Sequence, residues 1–109
     1  MPLLSNHIAV VTGAGSGIGR AIAAGYAREG ARVVLLDSNE LGATEAAKEI
    51  RGTGGKAESF RLDITSRDEC FAVAKEIAAK VGQVSVLCNN AGINRRNAFT
   101  ADPEAVLRD

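Results

Sequence analysis

The sequence predicts an α/β fold: one parallel sheet with helices on both faces and strands in the order 3-2-1-4. Three observations predict it. Short apolar runs alternate with segments whose apolar residues recur at helical spacing. Most of the runs are continuous, as strands covered on both faces require. A glycine-rich turn joins the first run to the first helical segment. Right-handed crossovers between parallel strands then fix the order.

The first strand is Ile8-Ala9-Val10-Val11. Ile18, Ile22, Gly25 and Tyr26 follow at helical spacing, and Gly30 stops that helix. Val33-Val34-Leu35-Leu36 is the second strand, ending at Asp37. Ser38 is placed to cap a second helix, with Leu41, Thr44, Ala47 and Ile50 as its inner face. Gly52, Gly54 and Gly55 break that helix. Lys56 to Leu62 reads as a third strand, near an edge because its polarity is mixed. Ser66-Arg67-Asp68-Glu69 has capping-box spacing and opens the clearest helix, with Cys70, Val73, Ala74, Ile77, Ala78 and Val81 on one stripe. Gly82 ends it, and Val84-Ser85-Val86-Leu87-Cys88 is the fourth strand. A further helix is expected from Asp102-Pro103-Glu104. With no repeat, linker or low-complexity segment, residues 1–109 read as part of a single domain.

Composition narrows the function classes. Hydrophobic residues make up 46% of the 109 and charged residues 24%, the balance of a soluble globular protein. Thirteen basic residues offset 13 acidic ones, which gives no electrostatic reason to expect nucleic acid or an anionic membrane as partner. The first seven residues lack a basic n-region and a long apolar run. No stretch approaches the roughly 18 apolar residues of a membrane span. Cys70 and Cys88 form no CxxC and have no nearby histidines, so neither a disulfide scaffold nor a zinc site is indicated, and a reducing, cytoplasmic setting is expected.

Sheets of this kind bind ligands beyond the carboxyl ends of the strands, at the crevice between strands 1 and 4. Asp37, Asp63 and Asn89-Asn90 all fall at such ends. Between the first strand and first helix lies Thr12-Gly13-Ala14-Gly15-Ser16-Gly17-Ile18-Gly19. A pyrophosphate needs backbone N–H donors, close approach and a helix amino terminus, and glycines permit the approach and the unusual dihedrals. The G-x-G-x-x-G/A fingerprint is met in no register, and Arg20-Ala21 after Gly19 excludes a P-loop. A ligand-free turn is the alternative for this loop. Asp37 lies 18 residues beyond Gly19, near the offset of a ribose-binding carboxylate. A carboxylate there accepts from the ribose hydroxyls and repels a 2′-phosphate, which favours NAD over NADP. Ser38 and Asn39 are uncharged, and no Arg or Lys stands at Ala14, Gly15 or Ser16. The alternative for Asp37 is a helix cap.

Three motifs together make the pattern specific: Thr12-Gly13-x-x-x-Gly17-x-Gly19 after the first strand, Leu62-Asp63-Ile64 after the third, and Asn89-Asn90-Ala91-Gly92 after the fourth. In these the chain resembles the short-chain dehydrogenase/reductase family. The resemblance covers the whole chain and about the first half of a family member. It implies a Rossmann-type fold and an NAD(H)-dependent oxidoreductase that moves hydride between nicotinamide and an alcohol or carbonyl substrate. It also implies roles. The backbone from Gly13 to Gly19, with Ser16 and Ile18 prominent, would hold adenosine and pyrophosphate. Asp63 would accept from the adenine amino group and the Ile64 amide would donate to the ring. Asn90 and Ala91 would pack against the adenosine ribose, with Gly92 beside them as a further cofactor-binding residue, while Asn89 would pin the fourth strand to its neighbour.

The family's acid/base pair is Y-x-x-x-K, assisted by a serine. The one tyrosine, Tyr26, has Gly30 four residues on and lies on a packing stripe. No catalytic residue and no metal ligand is therefore assigned. The 109 residues are expected to be an inactive portion of a larger, homo-oligomeric enzyme. A non-catalytic NAD(H)-binding regulatory module is the second reading, and a flavodoxin-like or methyl-donor-binding protein the third. Asn89-Asn90-Ala91-Gly92 argues against the third.

Overall fold

A computed structural model of the chain describes residues 3–90. The element order is β1 (Ile8–Thr12), α1 (Gly17–Arg28), β2 (Arg32–Asp37), α2 (Glu40–Gly52), β3 (Lys56–Arg61), α3 (Arg67–Lys80) and β4 (Val86–Asn89). The four strands form one sheet in the order β3-β2-β1-β4, and every neighbouring pair is parallel. This is the predicted Rossmann-type arrangement. The helix expected from Asp102 lies outside the described residues.

The continuous apolar strands have a direct structural meaning. Ala9, Val11, Val33 and Leu35 point to one face, where they pack with Ala23 of α1 and with Ala43, Ala46, Ala47 and Ile50 of α2. Val10, Val34 and Leu36 point to the other, against Cys70, Val73 and Ile77 of α3. Successive side chains alternate between faces, so a strand covered twice must be apolar at every position. Burying a leucine such as Leu35 or Leu36 contributes about 2 kcal/mol. β3 keeps its mixed polarity because, among the described residues, it pairs only with β2. Its Glu58 takes an ion pair from Arg32 at 2.7 Å on that strand.

Two helix faces differ from the sequence expectation. On α2 the buried residues are Ala43, Ala46, Ala47 and Ile50, while Leu41 is 68% exposed and Thr44 is also exposed. Small alanines let the helix lie close to the sheet, so the bulky Leu41 is turned away. The cap of α2 is Asn39 rather than Ser38: its side chain accepts from the Gly42 N–H at 3.2 Å. On α1, Ile18 is 72% exposed rather than part of an inner stripe, and Gly19 and Ala23 are the buried positions. Ala78 on α3 is likewise exposed. The helix stops are as read. Gly30, Gly54 and Gly82 all take positive φ just after α1, α2 and α3.

Candidate functional site

The carboxyl ends of β1, β2 and β3 open into a cavity of about 590 Å³. Its lining includes Gly13, Ser16 and Ile18 from the glycine loop, Asp37 and Ser38 after β2, Asp63, Ile64 and Thr65 after β3, and Asn90 after β4. Segments far apart in sequence converge there because every strand of a parallel sheet ends on the same side. Ile18 thus belongs to the cavity and not to the core. Gly17 and Gly19 sit in the first turn of α1 beside it. Ala91 and Gly92 lie outside the described residues.

The loop is shaped by close backbone approach. Gly13 and Gly17 have φ of 64° and 59°, a left-handed region that side chains disfavour. A Cβ on Gly19 would collide with the Gly13 carbonyl oxygen and sit 2.6 Å from Asn90 Nδ2. Asn90 Nδ2 donates to that same Gly13 carbonyl at 3.5 Å, tying β4 to the loop. One residue earlier, the buried Thr12 hydroxyl donates to Asn89 Oδ1 at 3.2 Å, bridging β1 and β4. The N-cap of α1 is Ser16, whose side chain makes no capping bond. The amino end of the helix, with its positive dipole, thus faces the cavity without an internal side-chain acceptor.

Asp37 anchors the loop from β2. Its Oδ2 accepts from the Gly15 N–H at 2.8 Å and its Oδ1 from the Asn39 N–H at 2.9 Å. A carboxylate has about four lone-pair sites, so each oxygen retains capacity for a ligand hydroxyl. No Lys or Arg lines the cavity among the described residues.

Asp63 begins a tight turn. Its Oδ1 accepts from the Thr65 hydroxyl at 2.6 Å and the Thr65 N–H at 2.9 Å. These bonds, with a smaller contribution from Arg61, hold its pKa below the ordinary carboxylate value. Asp63 Oδ2 and the Ile64 N–H have no partner among the described residues. The Asp63 backbone N–H donates to Glu69 Oε1 at 3.2 Å. Ser66 caps α3 as its spacing predicted, accepting from the Glu69 N–H at 3.2 Å, but Glu69 reaches to Asp63 rather than back to the Ser66 amide. The Glu69 contact and the Gly15–Asp37 bond are parts of the site that sequence reading missed. Both join residues on separate elements, which no local pattern reports.

Tyr26, His7 and the two cysteines do not line the cavity. Tyr26 packs on the α1 face near Cys88, and burial raises its hydroxyl pKa, with Cys88 adding to the shift. His7 Nδ1 meets the Ser85 hydroxyl at 2.9 Å, between the start of β1 and the approach to β4. Cys70 and Cys88 are both free, and burial pushes the Cys70 thiol up. A second concavity of about 660 Å³ lies between α1 and α2, beside Gly54 and Gly55 at the opposite edge of the sheet. It is the larger of the two, but only the first joins the glycine loop to the strand ends. No helix among the described residues is long and apolar enough to cross a membrane.

Comparison with known proteins agrees with this geometry. The family model for short chain dehydrogenase matches residues 7–108. An uncharacterized oxidoreductase, YxbG, from Bacillus subtilis (strain 168) is 43% identical over 95 residues, covering 87% of this chain and 35% of that protein. The 7alpha-hydroxysteroid dehydrogenase of Escherichia coli (strain K12) is 45% identical over 89 residues, covering 82% of this chain and 35% of the enzyme. A crystal structure of hydroxysteroid dehydrogenase from Escherichia coli superposes with a TM-score of 0.80 at 43% identity, covering 85% of this chain and 40% of that one. The chain spans about a third of the length of the curated relatives it matches. With four parallel strands in this order, a glycine loop closed by Asn90, and a match over residues 7–108, the chain belongs to the short-chain dehydrogenase family of oxidoreductases.

Proposed function

We propose that this chain binds the dinucleotide of an NAD(H)-dependent oxidoreductase acting on an alcohol or carbonyl substrate. The carrying observation is the cavity at the strand ends, where an open helix terminus, two carboxylates and a cradle too tight for a Cβ converge. The residues fit such a cofactor. Gly13, Ser16, Gly17, Ile18 and Gly19 would take the pyrophosphate and adenosine, using backbone N–H groups and the dipole of α1. Asp37 would accept from the adenosine ribose hydroxyls. Asp63 Oδ2 and the Ile64 N–H would take the adenine edge. Asn90, with Ala91 and Gly92, would border the adenosine ribose. When bound, the nicotinamide supplies hydride chemistry.

The preference for NAD over NADP rests on charge. A 2′-phosphate at Asp37 would meet a carboxylate, with no Lys or Arg in the cavity lining to offset it. No catalytic role is assigned to any residue of the chain; Tyr26 is packed on the α1 face. The two free cysteines support a reducing, cytoplasmic compartment.

Calorimetric titration of the intact protein with NAD+ and NADP+ tests the reading. NAD+ should bind at least about 10-fold more tightly, and Asp37→Ala should narrow that gap. Equal affinities in the unmodified protein, or affinities untouched by Asp37→Ala, would remove Asp37 from the site.

A further inference from the structure

We propose that Glu69 is a positioning residue for base recognition: from the first turn of α3 its carboxylate holds the Asp63–Ile64 corner in the form that reads adenine. This rests on the adenine role given above to Asp63 and Ile64. The corner is tied down at nearly every polar atom. The Asp63 N–H donates to Glu69 Oε1 at 3.2 Å, and the Asp63 carbonyl accepts from the Ser66 N–H at 3.0 Å. Asp63 Oδ1 is taken by Thr65, and the Cys70 thiol lies 3.8 Å from the Ile64 carbonyl oxygen.

Two groups remain without a partner among the described residues: the acceptor Asp63 Oδ2 and the donor Ile64 N–H. Adenine offers the complement, an amino donor at C6 beside an acceptor at N1. Hypoxanthine reverses both, with a carbonyl at C6 and N–H at N1. A corner fixed in this form therefore discriminates between the two bases, because a mismatched base leaves its polar groups unpaired.

Glu69 does this in two ways. It is the only described anchor of the Asp63 N–H, the point where the chain leaves β3 for the corner. It also engages Arg61, whose Nη1 lies 3.1 Å from Glu69 Oε1. Arg61, whose charge favours the Asp63 anion, is thereby held on Glu69 rather than on Asp63 Oδ2. Sequence alone gives Glu69 the ordinary part of a helix-end carboxylate. The contact with Asp63 connects it to the cavity.

The test compares binding of NAD+ and of nicotinamide hypoxanthine dinucleotide to the intact protein and to Glu69→Gln, Glu69→Ala and Glu69→Asp, with thermal melts of each without ligand. The unmodified protein should prefer NAD+. Glu69→Ala should lose roughly 3- to 10-fold of that preference, mainly through weaker NAD+ binding. Glu69→Gln keeps an acceptor for the Asp63 N–H but loses the charge that holds Arg61, so it should retain more of the preference than Glu69→Ala and less than the unmodified protein. Glu69→Asp keeps the charge but draws the acceptor back by one methylene, so it should behave like Ala and serves if Glu69→Ala does not fold. A lowered melting temperature with an unchanged base preference would make Glu69 a helix-end residue only; the proposal then falls and the dinucleotide reading stands. An unmodified protein that binds both dinucleotides equally overturns the proposal in the same way. One that binds neither overturns both.

Discussion

The Gly15 N–H donates to Asp37 Oδ2 at 2.8 Å, and a Cβ on Gly15 would stand 2.7 Å from that same oxygen. The carboxylate that would grip the ribose is thus also the post to which the glycine loop is tied. The two duties are inseparable. Removing the carboxylate to admit a 2′-phosphate also leaves a loop amide without its acceptor.

Gly15→Ala should disturb this junction from the other side. The new methyl meets Asp37 Oδ2 at 2.7 Å and the Ala43 amide at 3.1 Å, and the second of these is backbone in the first turn of α2. Overpacking of this kind costs about 1–3 kcal/mol. Chemical denaturation should show that loss, and NAD+ titration should show weaker binding. Wild-type stability with wild-type affinity would mean that the junction is looser than 2.8 Å implies.

Thr12→Val tests the bridge between β1 and β4. Thr12 is fully buried, and its hydroxyl donates to Asn89 Oδ1 at 3.2 Å across the sheet. Valine keeps the shape and deletes the donor. Asn89 is exposed enough for water to satisfy its oxygen, so the loss should be about 1 kcal/mol rather than the larger penalty of a buried orphan. Urea unfolding measures it. A neutral or stabilising result would show that strand pairing alone holds β4 in register.

How much of this was legible in the sequence follows a physical line. Strand order and face coverage were readable because Val10 and Val11, or Leu35 and Leu36, are apolar side by side, which only a doubly covered strand requires. The cavity residues Asp37, Asp63 and Asn90 were readable because parallel strands end on one side. Helix faces were less so. Counting apolar residues put Leu41 inside, but the distance between α2 and the sheet is set by Ala43, Ala46 and Ala47, and a leucine does not fit that gap. The cap shifted from Ser38 to Asn39 because the Asn39 N–H is itself held by Asp37. Contacts between a helix side chain and the loop that precedes it, such as Glu69 with Asp63, leave no periodic trace at all.

The acid response of the site should depend on Thr65. The Thr65 hydroxyl and N–H lower the Asp63 pKa. A depressed folded-state value means that the stabilisation of the anion is complete above the ordinary carboxylate pKa of about 3.9 and is lost as pH falls through the lower folded value. Thr65→Val removes the hydroxyl donor and keeps the amide. Its Asp63 should titrate at higher pH, closer to the ordinary value, and base binding should weaken earlier on acidification. An NMR titration of the Asp63 carboxyl checks this directly, and an unmoved midpoint would show that the amide bond alone sets the shift.

Gly17 and Gly19 stand in the same helical turn yet should fail differently when changed to alanine. At Gly17 nothing lies within 4 Å of a new Cβ, so the penalty comes only from its φ of 59°, about 1–2 kcal/mol for an L-residue. At Gly19 the methyl would drive into the Gly13 carbonyl oxygen and come within 2.6 Å of Asn90 Nδ2. Backbone on one side and a loop-closing amide on the other leave no flexible neighbour to move away. The cost should be about 3 kcal/mol or more, and the loop that would cradle the pyrophosphate must open to relieve it. Gly17→Ala should therefore keep measurable NAD+ binding at reduced stability, whereas Gly19→Ala should lose binding even at temperatures where far-ultraviolet circular dichroism shows the fold intact. If the two variants lose affinity equally, conformational freedom rather than close approach is what these glycines provide.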